Sequence, residues 1–225
     1  MNPKIDSMHF VFWFKPGSFA LAHNKFVDFL SKFSNLVEWS QYILPLEEEV
    51  NWDFPIMSLD WKDTRIVVSK ERLNVFFEDQ KNWGDLHQFM ELIKQIYQKF
   101  KDEMIFEIDW IGFITYNHLQ DIEKPTNWTY FIDYLNRDKR GDFLSWEWVK
   151  TNIRIEKKKD LSIGKCNYII NTIDAKIKDN EENISVFMFD INTKAQTQFI
   201  MNEDNLNNFF SVYEDERSLS LNLFN

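Results

Sequence analysis

Cysteine, glycine, proline and histidine are all scarce in this chain, and each shortage closes off a class of protein. Its 225 residues include one Cys, five Gly, five Pro and four His. The lone Cys166 excludes an internal disulfide framework and any zinc site built from several cysteines. Its flanks, Ile163 to Tyr168, read as a strand, where a single cysteine is a small buried hydrophobe rather than a nucleophile. The scattered glycines cannot assemble a Walker loop, a dinucleotide-binding turn or a Gly-x-Ser-x-Gly elbow. His9, His23, His87 and His118 are too dispersed for a metal cluster. His87 and Glu91 stand four apart on one helix face but would still need a third ligand. No apolar stretch approaches the ~18 residues of a membrane-crossing helix. The run Phe10–Phe14 is too short for a secretory leader and ends in Lys15-Pro16-Gly17. The expectation is a cytoplasmic, non-enzymatic protein with no catalytic residue, cofactor or metal, and no membrane attachment.

Positive charge is also in deficit. Against 36 Asp and Glu there are 26 Lys and Arg, a net charge of −10, so phosphate backbones are repelled on average. The imbalance is uneven along the chain. Between Arg137 and Lys165 the basic residues Arg137, Lys139, Arg140, Lys150, Arg154, Lys157, Lys158, Lys159 and Lys165 outnumber the acidic ones. From Asp174 onward the acids dominate. A net-acidic protein can therefore still present one basic surface.

What the chain has in abundance is aromatic residues, 17% of the total, led by 22 Phe and 9 Trp. At this length roughly 70–75% of the unfolded surface is buried on folding, so no disulfide or metal is needed. His9–Lys15 reads as an aromatic strand. Ser18 caps a helix to Phe33, and Leu36–Leu44 is a second strand. Ile56–Trp61, Thr64–Ser69 and Leu73–Phe77 form a meander. Asp85 and Gln88 make a capping-box pattern ahead of Leu86, Phe89, Met90, Ile93, Ile96, Tyr97 and Phe100, an unbroken helical stripe over Asp85–Lys101. Met104–Tyr116 is nearly continuous in apolar residues, as a central strand would be. Thr126 caps a shorter helix. The strands Phe143–Glu156, Ile163–Lys178 and Ile184–Asn192 follow, and Asn202 opens a last helix with Leu206, Phe209, Phe210 and Tyr213.

Each half thus reads strand, helix, antiparallel strands, helix, a pseudo-repeat of about a hundred residues. The expected fold class is α+β, with two β-α-β(3–4)-α units, 1–103 and 104–225, in one two-lobed body. Their curved antiparallel sheet carries helices on one face. That order resembles the TATA-box-binding-protein-like fold class.

One strand carries a constellation of its own. Alternation along Phe143–Glu156 places Leu144, Trp146, Trp148, Lys150 and Arg154 on one face. Phe143, Val149, Ile153 and Ile155 take the other face, for burial. Two tryptophans followed by two cations suit a nucleobase or a partner protein. The candidate interaction surface therefore comprises Arg137, Lys139, Arg140, Trp146, Trp148, Lys150, Arg154, Lys157, Lys158 and Lys159.

Three segments carry a resemblance to a sporadically distributed family of uncharacterised bacterial proteins. Ser69-Lys70-Glu71-Arg72-Leu73-Asn74 with Trp83 is similar to that family's strand-then-tryptophan element. Ile108 to Asn117 is similar to its glycine-centred strand, with Asp109-Trp110 where a basic residue is usual. Phe189-Asp190-Ile191-Asn192, leading through Phe199 into the last helix, is similar to its closing strand and helix. The resemblance implies a patchily inherited accessory gene of the kind associated with phage-defence and mobile elements. The leading expectation is an accessory factor that binds another protein of the same operon or system. The alternative is nucleic-acid or nucleotide recognition on the Trp146/Trp148 face beside the basic segment. A third reading is an acidic mimic of nucleic acid.

Overall fold

A computed structural model describes residues 4–16, 39–42, 57–61, 63–78, 84–103, 107–119, 151–176, 183–196 and 198–221. The expected helices starting at Ser18 and Thr126 lie outside these residues. So do Arg137, Lys139, Arg140, Trp146, Trp148 and Lys150. The described elements are β1 (Lys4–Phe14), β2 (Trp39–Tyr42), β3 (Met57–Trp61), β4 (Thr64–Val68), β5 (Arg72–Glu78), α1 (Leu86–Glu103), β6 (Ile108–Leu119), β7 (Thr151–Leu161), β8 (Gly164–Lys176), β9 (Asn183–Asn192) and α2 (Glu203–Leu221). The strands form one antiparallel sheet in the order β2-β3-β4-β5-β1-β6-β9-β8-β7. The class is α+β, with a large antiparallel sheet and two described helices.

Alternation along the strands decides what each face of the sheet carries. β1 turns Met8, Phe10, Phe12 and Phe14 toward the helices, and all four are buried. β6 adds Ile111 and Phe113, β9 adds Phe187, Phe189 and Ile191, and β8 adds Cys166, Tyr168 and Ile170. α1 and α2 lie on this one face. Phe89 of α1 stacks against Phe113 at 5.6 Å, and Tyr97 stacks against Phe12 at 6.0 Å. From α2, Phe209 and Phe210 meet Phe10 edge-on, and Tyr213 stacks on Phe113 at 4.2 Å. β6 is central, as its continuous apolar run implies.

Both helices start where the sequence places them. The Gln88 amide donates to Asp85 Oδ1 at 3.0 Å, and the Asn205 amide donates to Asn202 Oδ1 at 2.8 Å. Each cap satisfies one of the donors that the first helical turn leaves open. Lys101 of α1 pairs with Glu203 at the start of α2. Beneath α2, the Tyr213 hydroxyl lies 3.0 Å from both Thr115 Oγ1 and the Phe189 carbonyl. The Asn117 amide donates to the Phe187 carbonyl at 3.0 Å and accepts from Arg217 Nε at 3.1 Å. This polar network fixes how α2 sits on β6 and β9.

β7 corrects two expectations. It does not end at Glu156 but continues through Lys157-Lys158-Lys159 to Leu161, then turns back through Gly164 at φ +104°. Among the described residues it is an edge strand, paired only with β8. Consecutive lysines are tolerated there because both faces can stay wet, and they discourage pairing with a foreign strand. Ile155, placed by alternation on a buried face, is 51% exposed. Among the described residues, α2 pairs with β7 four positions further along the strand, through Glu216 and Lys159.

Candidate functional site

The face opposite α1 and α2 collects the chemistry. At one end of it, four side chains from three strands and a short turn form a ladder. Arg72 of β5, Trp13 of β1 and Trp110 of β6 stand directly opposite one another in the strand register. The two indoles stack with centroids 5.0 Å apart and planes within 11°. The Arg72 guanidinium lies 5.0 Å over Trp13, and the Lys194 ammonium lies 5.6 Å over Trp110. Both indoles are half-buried.

Local structure holds each end. Ser69 Oγ accepts the Glu71 and Arg72 amides, both at 3.2 Å, which closes the β4–β5 turn and aims Arg72 along the sheet. A 3-10 turn, Thr193–Ala195, follows β9. Buried Thr193 accepts the Ile111 amide at 3.0 Å, pinning that turn to β6 and setting Lys194 over Trp110.

A polar groove of about 400 Å³ adjoins the ladder and shares Arg72, with Arg65, Asp60, Asn74, Phe76 and Glu78 on its walls. Arg65 and Asp60 pair at 2.7 Å across β3 and β4. His9 stacks on Phe76 at 4.3 Å, and its Nε2 lies 3.0 Å from Asn74 Oδ1. Burial lowers the His9 pKa, so the ring stays neutral and Nε2 carries the proton it donates to Asn74.

Toward the other edge, Asp190 of β9 sits between Ile114 of β6 and Ile169 of β8. Burial pushes its carboxyl up to about 6, and a hydrogen bond from Asn192 Nδ2, at 3.3 Å, opposes the shift. Asn167 Nδ2 donates in turn to Asn192 Oδ1 at 2.8 Å.

Of the basic residues singled out in the sequence, the described ones, Arg154, Lys157, Lys158 and Lys159, divide between the two faces of β7. Alternation sends Arg154 and Lys158 to this face, and Lys157 and Lys159 to the helix side. Arg154 pairs with Glu156 at 3.2 Å, Lys159 pairs with Glu216, and Lys157 and Lys159 both lie over the Tyr168 ring. Of the metal candidates, Glu91 is taken by Lys94 at 2.6 Å, and His87 is exposed. No group of three or more metal-ligating side chains gathers among the described residues. Burial pushes the Cys166 thiol up to about 11, which suits a packed side chain and not a nucleophile. Among the described residues no helix is long and apolar enough to cross a membrane.

Sequence reasoning missed Trp13, Arg72, Trp110 and Lys194. The available signal was phase: Trp13 is out of step with Phe10, Phe12 and Phe14, so it had to face away from the core. No protein-family profile and no curated protein matches the chain.

Proposed function

We propose that this chain is a non-enzymatic binding protein that docks another protein on the sheet face opposite α1 and α2. The Arg72–Trp13–Trp110–Lys194 ladder is the observation that carries the reading. Trp and Arg dominate the energetics of protein interfaces, especially where they are held rigid and partly desolvated. In this ladder each indole has one face covered by the other indole and the second covered by a cation. Neither offers an open ring face to a nucleobase, which single-strand recognition requires. A nucleic-acid mimic needs a continuous acidic stripe. Here Asp60, Glu91, Glu107, Glu156, Glu203 and Glu216 are each paired with a lysine or arginine.

The same reading takes the chain as two related units, 1–103 and 104–225, with a topology like that of the TATA-box-binding-protein-like class. Supporting it, the first strand of each half pairs with the last, and the two first strands pair with each other. The partner is a product of the same operon or a linked defence or mobile system.

Co-expression of the full chain with the products of neighbouring genes, followed by size-exclusion chromatography, tests the proposal. The native chain is expected to form a stoichiometric complex with one of them. Trp110→Ala should weaken that complex by about 2 kcal/mol or more, roughly 30-fold in Kd, as a central anchor does. No stoichiometric protein partner, or binding only to nucleic acid with a steep loss as salt rises, would overturn it.

A further inference from the structure

β7 carries an open edge and an apolar residue that its own fold leaves uncovered. It runs 11 residues, long for a strand at a sheet margin, and among the described residues nothing pairs with its outer side. Arg154, Ile155, Glu156, Lys157 and Lys158 are all exposed, Ile155 by 51%. Ile155, Ile200 and Leu219 are the large hydrophobic side chains left exposed among the described residues, and of these Ile155 alone lies on a strand. An edge strand offers outward N–H and C=O groups, so what fits it best is another strand.

The charges of β7 match a second copy of β7 in one register. A two-fold axis perpendicular to the sheet pairs two copies antiparallel and keeps like faces together, so the axis must pass between a residue and its own copy. Like charges set directly opposite destabilise a strand pair. Among the registers that pair most of the strand, centring on Arg154, Glu156, Lys157 or Lys158 sets that charge against itself. Centring on Ile155 opposes no like charges. Arg154 then stands opposite Glu156 of the second copy, Lys157 opposite Ile153, Lys158 opposite Asn152 and Lys159 opposite Thr151. The two exposed Ile155 residues meet on the axis. Lys157 and Lys159 keep their places over Tyr168, and Lys159 keeps Glu216, because no charge stands opposite them. We propose that two copies of this chain join edge to edge through β7, antiparallel and centred on Ile155, continuing the sheet across the two-fold. The lysine run then filters register: it disfavours foreign strands and other alignments while admitting this one. The pairing uses the sheet margin and is independent of docking on the face.

Sedimentation equilibrium of the full chain is expected to give twice the monomer mass. Ile155→Asp, which sets two carboxylates opposite each other, should give the monomer mass with an unchanged far-ultraviolet circular dichroism spectrum. Register is read by cysteine cross-linking. Directly opposite residues have Cα atoms about 4.5–5.5 Å apart, inside the range a disulfide spans. Mild oxidation should therefore convert Ile155→Cys to a covalent dimer. Lys157→Cys should stay uncross-linked, because an offset of four residues at about 3.4 Å each holds the two thiols roughly 14 Å apart. Native Cys166 is buried with its thiol pushed up to about 11, so it does not compete. A native chain that sediments as a monomer at every concentration would overturn the proposal. So would a dimer untouched by Ile155→Asp, or a covalent dimer from Lys157→Cys and not from Ile155→Cys.

Discussion

Phe113→Ala is expected to destabilise the protein by about 3–5 kcal/mol, a large share of the ~5–15 kcal/mol that holds a domain folded. Phe113 is fully buried and sits where the central strands meet both helices. Its ring contacts Tyr213 at 4.2 Å, Phe89 at 5.6 Å, Phe10 at 5.8 Å and Phe210 at 6.1 Å. Rigid rings on every side cannot collapse into the space a phenyl group vacates, so the cavity persists and the cost falls at the upper end. Urea unfolding of native and variant chains measures it directly. A loss below ~0.5 kcal/mol, as surface substitutions show, would mean the two helices do not close on β6.

Stability should also fall as pH rises from about 4 to 6 through one group, Asp190. An unfolded aspartate titrates near 3.9, whereas burial raises the folded value to about 6. In that window the folded chain holds the extra proton, so the contribution of Asp190 is fully present below about pH 4 and lost as the pH climbs past 6. The shift of about two units corresponds to roughly 2–3 kcal/mol. Glu91, Glu107 and Glu203 are lowered by lysine partners and slope the opposite way, so the comparison is made against a variant that retains them. Asp190→Asn should match the native chain near pH 4 and exceed it in stability by that margin at pH 7. A constant difference at both pH values would contradict the burial of this carboxylate.

The core elements were legible because their signals are local. The stripe from Phe89 to Tyr97 and the caps at Asp85 and Asn202 specify α1 and the start of α2 within a few residues. The far half of the edge strand, beyond Glu156, was not legible. Lys157-Lys158-Lys159 break the apolar alternation that marks strands, and only its place at the sheet margin makes that tolerable. The candidate site was hidden for a different reason. Trp13 meets Trp110, and Arg72 meets Trp13, only through pairings between distant segments, and no spacing within one segment announces them. Nothing in the run Phe189-Asp190-Ile191-Asn192 announces the burial of Asp190, which comes from its place between Ile114 of β6 and Ile169 of β8.

Hydroxyl-radical footprinting of the complex, read residue by residue by mass spectrometry, tests the docking claim most directly. The account predicts that the partner protects Trp13 and Trp110 while exposed positions on α1 and α2, such as His87 and Leu219, react as in the free chain. Protection of the helix surfaces with Trp13 and Trp110 left fully reactive would contradict it.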